Sequence, residues 1–107
     1  MDYKEASIQG TTGVTTYATL YFTNTGKTAV VGSIIVCNTS VSSVTYRVAV
    51  MNTAGIPSAA DWRVFDKVVP ANETVILNLP LAMQTGRYIR VSSSASTVTF
   101  AAEIQEY

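Results

Sequence analysis

The chain has 107 residues, 48% hydrophobic and 13% charged, with seven basic and seven acidic side chains and no histidine. That length fits one domain that can bury a core without metal or disulfide staples, and the apolar content excludes a disordered tail. Cancelling charges leave no basic stripe to displace counterions from DNA or RNA, which argues against a nucleic-acid partner.

The first stretch, residues 1–16 (MDYKEASIQGTTGVTT), carries only scattered apolar side chains, Tyr3, Ile8 and Val14. It reads as a polar N-terminal arm that becomes ordered on a neighbour, with residues 17–107 forming one β-sandwich domain. It has no apolar core of signal-peptide length, and no segment approaches the ~20 apolar residues of a membrane span. The expectation is synthesis in a host cytoplasm, no processing and no membrane partner.

From Tyr17 to Thr23 the alternation sets Leu20 and Phe22 on one face, opposite Thr19, Tyr21 and Thr23. Asn24-Thr25-Gly26 supplies a positive-φ corner. Gly26-Lys27-Thr28 matches the end of a phosphate-binding loop, but the glycine required five residues earlier is Tyr21, and the following AVVGSIIVC is β-branched where a helix is needed. The triplet is therefore a corner, and Thr28 to Asn38 is a strand. Strict alternation there puts Ala29, Val31, Ser33, Ile35 and Cys37 on one side and Val30, Gly32, Ile34 and Val36 on the other. Both rows are largely apolar, so this strand expects cover on both faces, one from the core and the other from the N-terminal segment or another subunit. Cys37, the lone cysteine, reads as a small buried hydrophobe without an imidazole to activate it.

After the polar connection Asn38 to Ser43, the residues Val44, Tyr46, Val48 and Val50 form an inward row. Asn52 to Asp61 is the longest loop. Trp62, Val64 and Asp66 share a face of the next strand, and Pro70 to Glu73 is a tight turn. Val75, Leu77 and Leu79 form a further inward row, followed by a corner at Gln84-Thr85-Gly86. Ile89 and Val91 point inward before a corner at Ser92 to Ser96, and Val98, Phe100, Ala102 and Ile104 close the pattern. Seven or eight short strands at this spacing, with no amphipathic helix, predict an all-β antiparallel sandwich, either jelly-roll or immunoglobulin-like.

Candidate chemistry is sparse. Asp61 and Asp66 flank Trp62 and Phe65, but a strand edge offers no cleft for acid–base work. Asp61, Asp66 and Glu73 lack the spacing of a calcium loop. No catalytic residue, metal site or cofactor is expected, and the Asn38 and Asn72 sequons read as chance matches without secretion. Tyr17, Tyr21, Tyr46, Trp62 and Tyr88 allow either a sugar-stacking platform or ordinary packing and interface anchors. Tyr21, Trp62 and Tyr88 are the candidate interface residues.

The blocks Leu20-Tyr21, Gly26 to Val31, Ser33 to Asn38, Pro70 to Thr74, Ile89 to Val91 and Thr97 to Phe100 occur in an order that resembles small β-sandwich virion structural proteins of tailed bacteriophages. The resemblance spans Tyr17 to Ile104 and departs at FTNTG, where such proteins carry a proline-containing turn. It implies a non-enzymatic virion component that contacts other virion proteins, such as a major capsid protein or tail proteins, and forms a homo-oligomer. The absence of a trimerising trunk favours a capsid decoration or cement protein. The alternatives are a tail, neck, baseplate or fibre accessory and, from another class, a carbohydrate-binding adhesion module.

Overall fold

Val, Ile, Thr and aromatic side chains spaced two apart fit a pleated, half-buried surface, so these rows extend into strands. The computed structural model describes residues 2–78 and 80–107. Among them lie nine strands and no helix: β1 Asp2–Gln9, β2 Gly13–Phe22, β3 Ala29–Asn38, β4 Val44–Met51, β5 Trp62–Val69, β6 Thr74–Leu77, β7 Leu81–Met83, β8 Tyr88–Ser93 and β9 Val98–Glu106.

The strand pairs are nested. β4 pairs with β5, β3 with both β6 and β7, β2 with β8, and β1 with β9, every pair antiparallel. Further pairing of β3 with β9 and of β4 with β8 gathers them into two sheets, ordered β1-β9-β3-β6 (with β7 also on β3) and β2-β8-β4-β5. Because β6 and β7 follow one another along the same edge of β3, they act as one interrupted strand. A long hairpin wound on itself in this way is the jelly-roll arrangement, which decides between the two expected sandwiches.

The core lies between the sheets. Val44, Tyr46, Val48 and Val50 of β4, Ile89 and Val91 of β8, and Val98, Phe100, Ala102 and Ile104 of β9 are all buried, as their alternation predicts. Tyr46 and Phe100 meet edge to face across the sandwich at 6.0 Å. Gly26 and Gly86 take positive φ (80° and 83°) at the predicted corners. Beside the first, Lys27 N–H donates to Asn24 O and Thr28 N–H to Tyr107 O, so the phosphate-loop triplet is a corner leading into the β3–β9 ladder. Val75 is half-buried and Leu77 buried; Leu79 lies outside the described residues.

Three expectations are corrected by β-bulges. In β3 the register with β9 slips between Val31 and Ser33, leaving Gly32 as an extra residue. Ala29 and Val31 therefore point inward, but Ile34, Val36 and Asn38 take over the inward row, and Ser33, Ile35 and Cys37 face out. Cys37 is accordingly half-buried on the outer face and not part of the core. In β2 the register with β8 slips between Thr19 and Tyr21, so that Tyr21 pairs with inward-facing Ile89 and is buried, while Phe22 is only half-buried. One extra residue reverses every later side chain, which strict alternation cannot foresee.

Residues 2–9, expected within an arm, form β1 along the edge of β9, and residues 13–16 open β2. The connection turns at Gly10, where an added Cβ would lie 2.3 Å from Ser93 Oγ and 2.8 Å from Val98 O. Overpacking of a fixed site costs about 1–3 kcal/mol. Gly10→Ala should therefore lower the urea midpoint by a corresponding amount, whereas Gly55→Ala, in the exposed 52–61 loop, should leave it nearly unchanged.

Candidate interaction site

The inward row of β9 ends on a carboxylate. Glu106 is 2% exposed, yet it sits two residues beyond Ile104 on the core side. Tyr21 Oη donates a hydrogen bond to Glu106 Oε2 from the opposite sheet, and Lys4 Nζ, from β1, lies 3.1 Å from Oε1. A buried carboxylate without partners would be strongly penalised, so these contacts are what allow it there. The Tyr21 hydrogen bond, with Lys4 second, holds the Glu106 carboxyl below its ordinary range, while burial and Glu106 push the Tyr21 phenol up. Tyr21, buried, thus clamps the two sheets from inside.

The outer face of the β2-β8-β4-β5 sheet is aromatic and basic. Arg47 reaches Asp66 with two hydrogen bonds, Nε to Oδ1 at 2.6 Å and Nη2 to Oδ2 at 3.1 Å. Its guanidinium lies 5.4 Å from the Trp62 ring centroid and 4.1 Å from that of Phe65. Tyr17 packs on Trp62 at 5.9 Å. Asp66 adopts a φ of 53° on a strand whose register slips twice against β4, and this bulging brings its carboxylate to Arg47. Arg47 lowers the Asp66 pKa chiefly through these hydrogen bonds. Elsewhere on this sheet Tyr88 stacks on Phe22 at 4.5 Å.

Trp62 and Tyr88 therefore belong to two separate aromatic groups. Tyr46 is fully buried, so the five aromatics considered for a sugar platform do not assemble into one. Asp61 is engaged within its own loop, accepting from Ser58 N–H at 2.9 Å, and Asp66 is held by Arg47. The carboxylates flanking Trp62 are thus committed to different structural tasks. No grouping of metal-binding side chains occurs among the described residues.

The outer face of the other sheet is different in kind. Register places Val30, Ser33, Ile35 and Cys37 of β3 beside Ala82 of β7, Thr74 and Ile76 of β6, and Thr99, Ala101 and Glu103 of β9. Ile76 is 61% exposed and Val30 38%, whereas Ile35 is half-buried. Where Gly32 bulges, a groove of about 450 Å³ opens between Tyr3, Glu5, Glu103 and Gln105. The N-terminal segment occupies the edge of this sheet and leaves its face uncovered. The bulge gave no signal beyond a glycine within an apolar run, so strict alternation placed the wrong residues on this face. It did predict a strand apolar on both sides.

No protein-family model and no curated protein matches the chain. Among solved structures it is similar to a chain in the structure of infectious bursal disease virus, Gx strain, with a TM-score of 0.50 and 16% identity over 95% of this chain and 30% of that one. The likeness is one of fold. The chain spans less than a third of that viral chain's length. A pentameric capsid protein isolated from metagenomic phage sequences aligns with a TM-score of 0.38 and 15% identity, over 96% of this chain and 59% of the other.

The charged clamp makes stability depend on pH in a defined sense. The Glu106 and Asp66 carboxyls are lowered in the folded state, so their contribution is present above the unfolded carboxylate pKa of about 4 and is lost as pH falls through the folded values. Tyr21 and Tyr46 are raised, so theirs is present below about pH 10 and is lost as pH climbs through the folded values. Urea midpoints should fall on both limbs. Glu106→Gln should flatten the acid limb, and Tyr21→Phe the alkaline one.

Proposed function

We propose that this chain is a non-enzymatic structural component of a virion, most specifically a capsid decoration or cement protein of a tailed phage, working through protein–protein contacts. The observation that carries this reading is the uncovered outer face around β3, where Val30, Ile35, Ile76, Ala82 and Ala101 form an apolar patch on a sheet whose other side is the core. Contiguous exposed apolar surface marks interaction sites. Near-zero net charge suits a subunit whose surface is used in assembly. The fold shared with a chain of a virus structure adds support, because jelly rolls serve in capsid domains.

Fold alone does not determine function, and jelly rolls also serve in lectin domains. The observation favouring glycan adhesion is the half-exposed Trp62–Phe65–Tyr17 group. Against it, Arg47 already stacks on Trp62 and Phe65, leaving less ring surface for a sugar. A tail, neck, baseplate or fibre accessory would use the same apolar face, with a different partner.

Residues 1–16 would act in assembly as an arm. β1 is exposed or half-buried throughout, and its inward Ala6 and Ile8 only border the core. A chain lacking residues 1–9 should still fold, with reduced thermal stability, and should be incorporated into particles poorly.

Ile76→Lys places a charge on the apolar face without touching the core. If Ile76 anchors the contact at about 2 kcal/mol, the substitution should weaken particle binding roughly thirtyfold. Circular dichroism and urea midpoint should stay unchanged. Normal incorporation of Ile76→Lys, combined with loss of host-polysaccharide binding in Trp62→Ala, would replace this reading with adhesion.

A further inference from the structure

We infer that β1 is an exchangeable strand: residues 2–9 of one copy leave their own sheet and pair with β9 of a second copy. This deepens the reading of residues 1–16 as an arm and rests on it, but it does not depend on which part of a particle the protein occupies.

The strand is weakly held. β1 lies at the edge of its sheet, with β9 as its only hydrogen-bonded strand neighbour among the described residues. None of its eight residues is buried. Its register sets Glu5 directly opposite Glu103, a like-charge cross-strand pair that weakens the ladder. Regions with few buried contacts and exposed backbone hydrogen bonds open at low free energy.

The pivot is defined. Immediately after β1, Gly10 is wedged against Ser93 and Val98. Thr11 and buried Ser93 then exchange hydrogen bonds, Thr11 N–H to Ser93 Oγ and Ser93 N–H to Thr11 Oγ1, both at 2.9 Å. The rest of the sandwich therefore stays closed while β1 swings about Gly10. Short hinge connections under strain favour strand exchange over pairing within one chain.

The vacated site selects its occupant. Removing β1 exposes an unbroken edge along β9, from Thr99 to Glu106, and strand edges of this length are templates for pairing. Its inner row ends on Glu106, which then lacks the ammonium of Lys4. A filling strand must offer small or aliphatic side chains opposite Ala102 and Phe100 and a cation near Glu106. Ile8, Ala6 and Lys4 of a second copy meet that need in register, so the ladder given up within one chain re-forms between two. The balance is then set by local protein concentration against the effective concentration of the tethered strand.

The test uses Ser7 and Ala101, which stand directly opposite in the ladder. In a Cys37→Ser background, Ser7→Cys and Ala101→Cys chains are purified separately, mixed at high concentration and mildly oxidised. The expected result is a disulfide joining the two thiols across chains, identified by peptide mass spectrometry, with a yield that falls on dilution. The parent chain should show a matching concentration-dependent dimer in sedimentation, abolished by removing residues 2–9. A mixture that yields no 7–101 cross-linked peptide, from protein that sediments as a monomer at every concentration, overturns the proposal. That failure would leave the particle-binding result for Ile76→Lys unaffected, so the two readings fall separately.

Discussion

The period of two along β9 is the constraint on which the rest of this structure depends. Val98, Phe100, Ala102, Ile104 and Glu106 face inward without interruption, and the same strand hydrogen-bonds to β1 on one side and β3 on the other. Any slip within it would turn Phe100 into solvent and Glu103 into the core at once. The neighbours on either side inherit their register from it. The bulge in β3 is tolerated because it sits at Gly32, which has no side chain to misplace, and opposite the outward-facing Glu103 end of the strand.

The inward row also explains why a carboxylate can sit inside a small apolar core. Glu106 falls at the end of the sandwich, where one oxygen is reached by a phenol from the opposite sheet and the other by an ammonium at the edge. The Tyr21 contact ties β2 to β9 across two sheets, and the Lys4 contact adds to a backbone ladder that already joins β1 to β9. Removing one partner is costlier than the contact itself is worth, because the remaining charge keeps its desolvation penalty.

What could be read from the sequence follows from this. The rows in β4, β8 and β9, the corners at Gly26 and Gly86 and the all-β class were legible, because unbroken alternation and positive-φ residues are local signals. The faces of β2 beyond Thr19 and of β3 beyond Gly32 were not, since a bulge is decided by the partner strand and leaves only a weak local trace. Cys37 and Tyr21 were misplaced for that one reason. The Glu106 site did carry a local signal, a charged residue continuing the inward row two positions after Ile104. The Arg47–Asp66 contact lay beyond local reading, because it joins residues on neighbouring strands through a bulge. The choice of jelly roll over the immunoglobulin order rests on which distant strands pair, and that is not encoded in any window of the chain.

The nested pairing has a consequence for how such a chain comes to be folded. Among the described residues only β4 and β5 are joined as a local hairpin; each further pair encloses the one before it, out to β1 and β9, whose partners span Asp2 to Glu106. Contacts of such long range are slow to form because loop closure must precede them. During synthesis β1 emerges before its partner β9, with seven strands made between them, so it waits through that interval without a ladder to join. An apolar strand in that position would be a target for mispairing. The sequence DYKEASIQ, polar at most positions and charged at three, is suited to that wait.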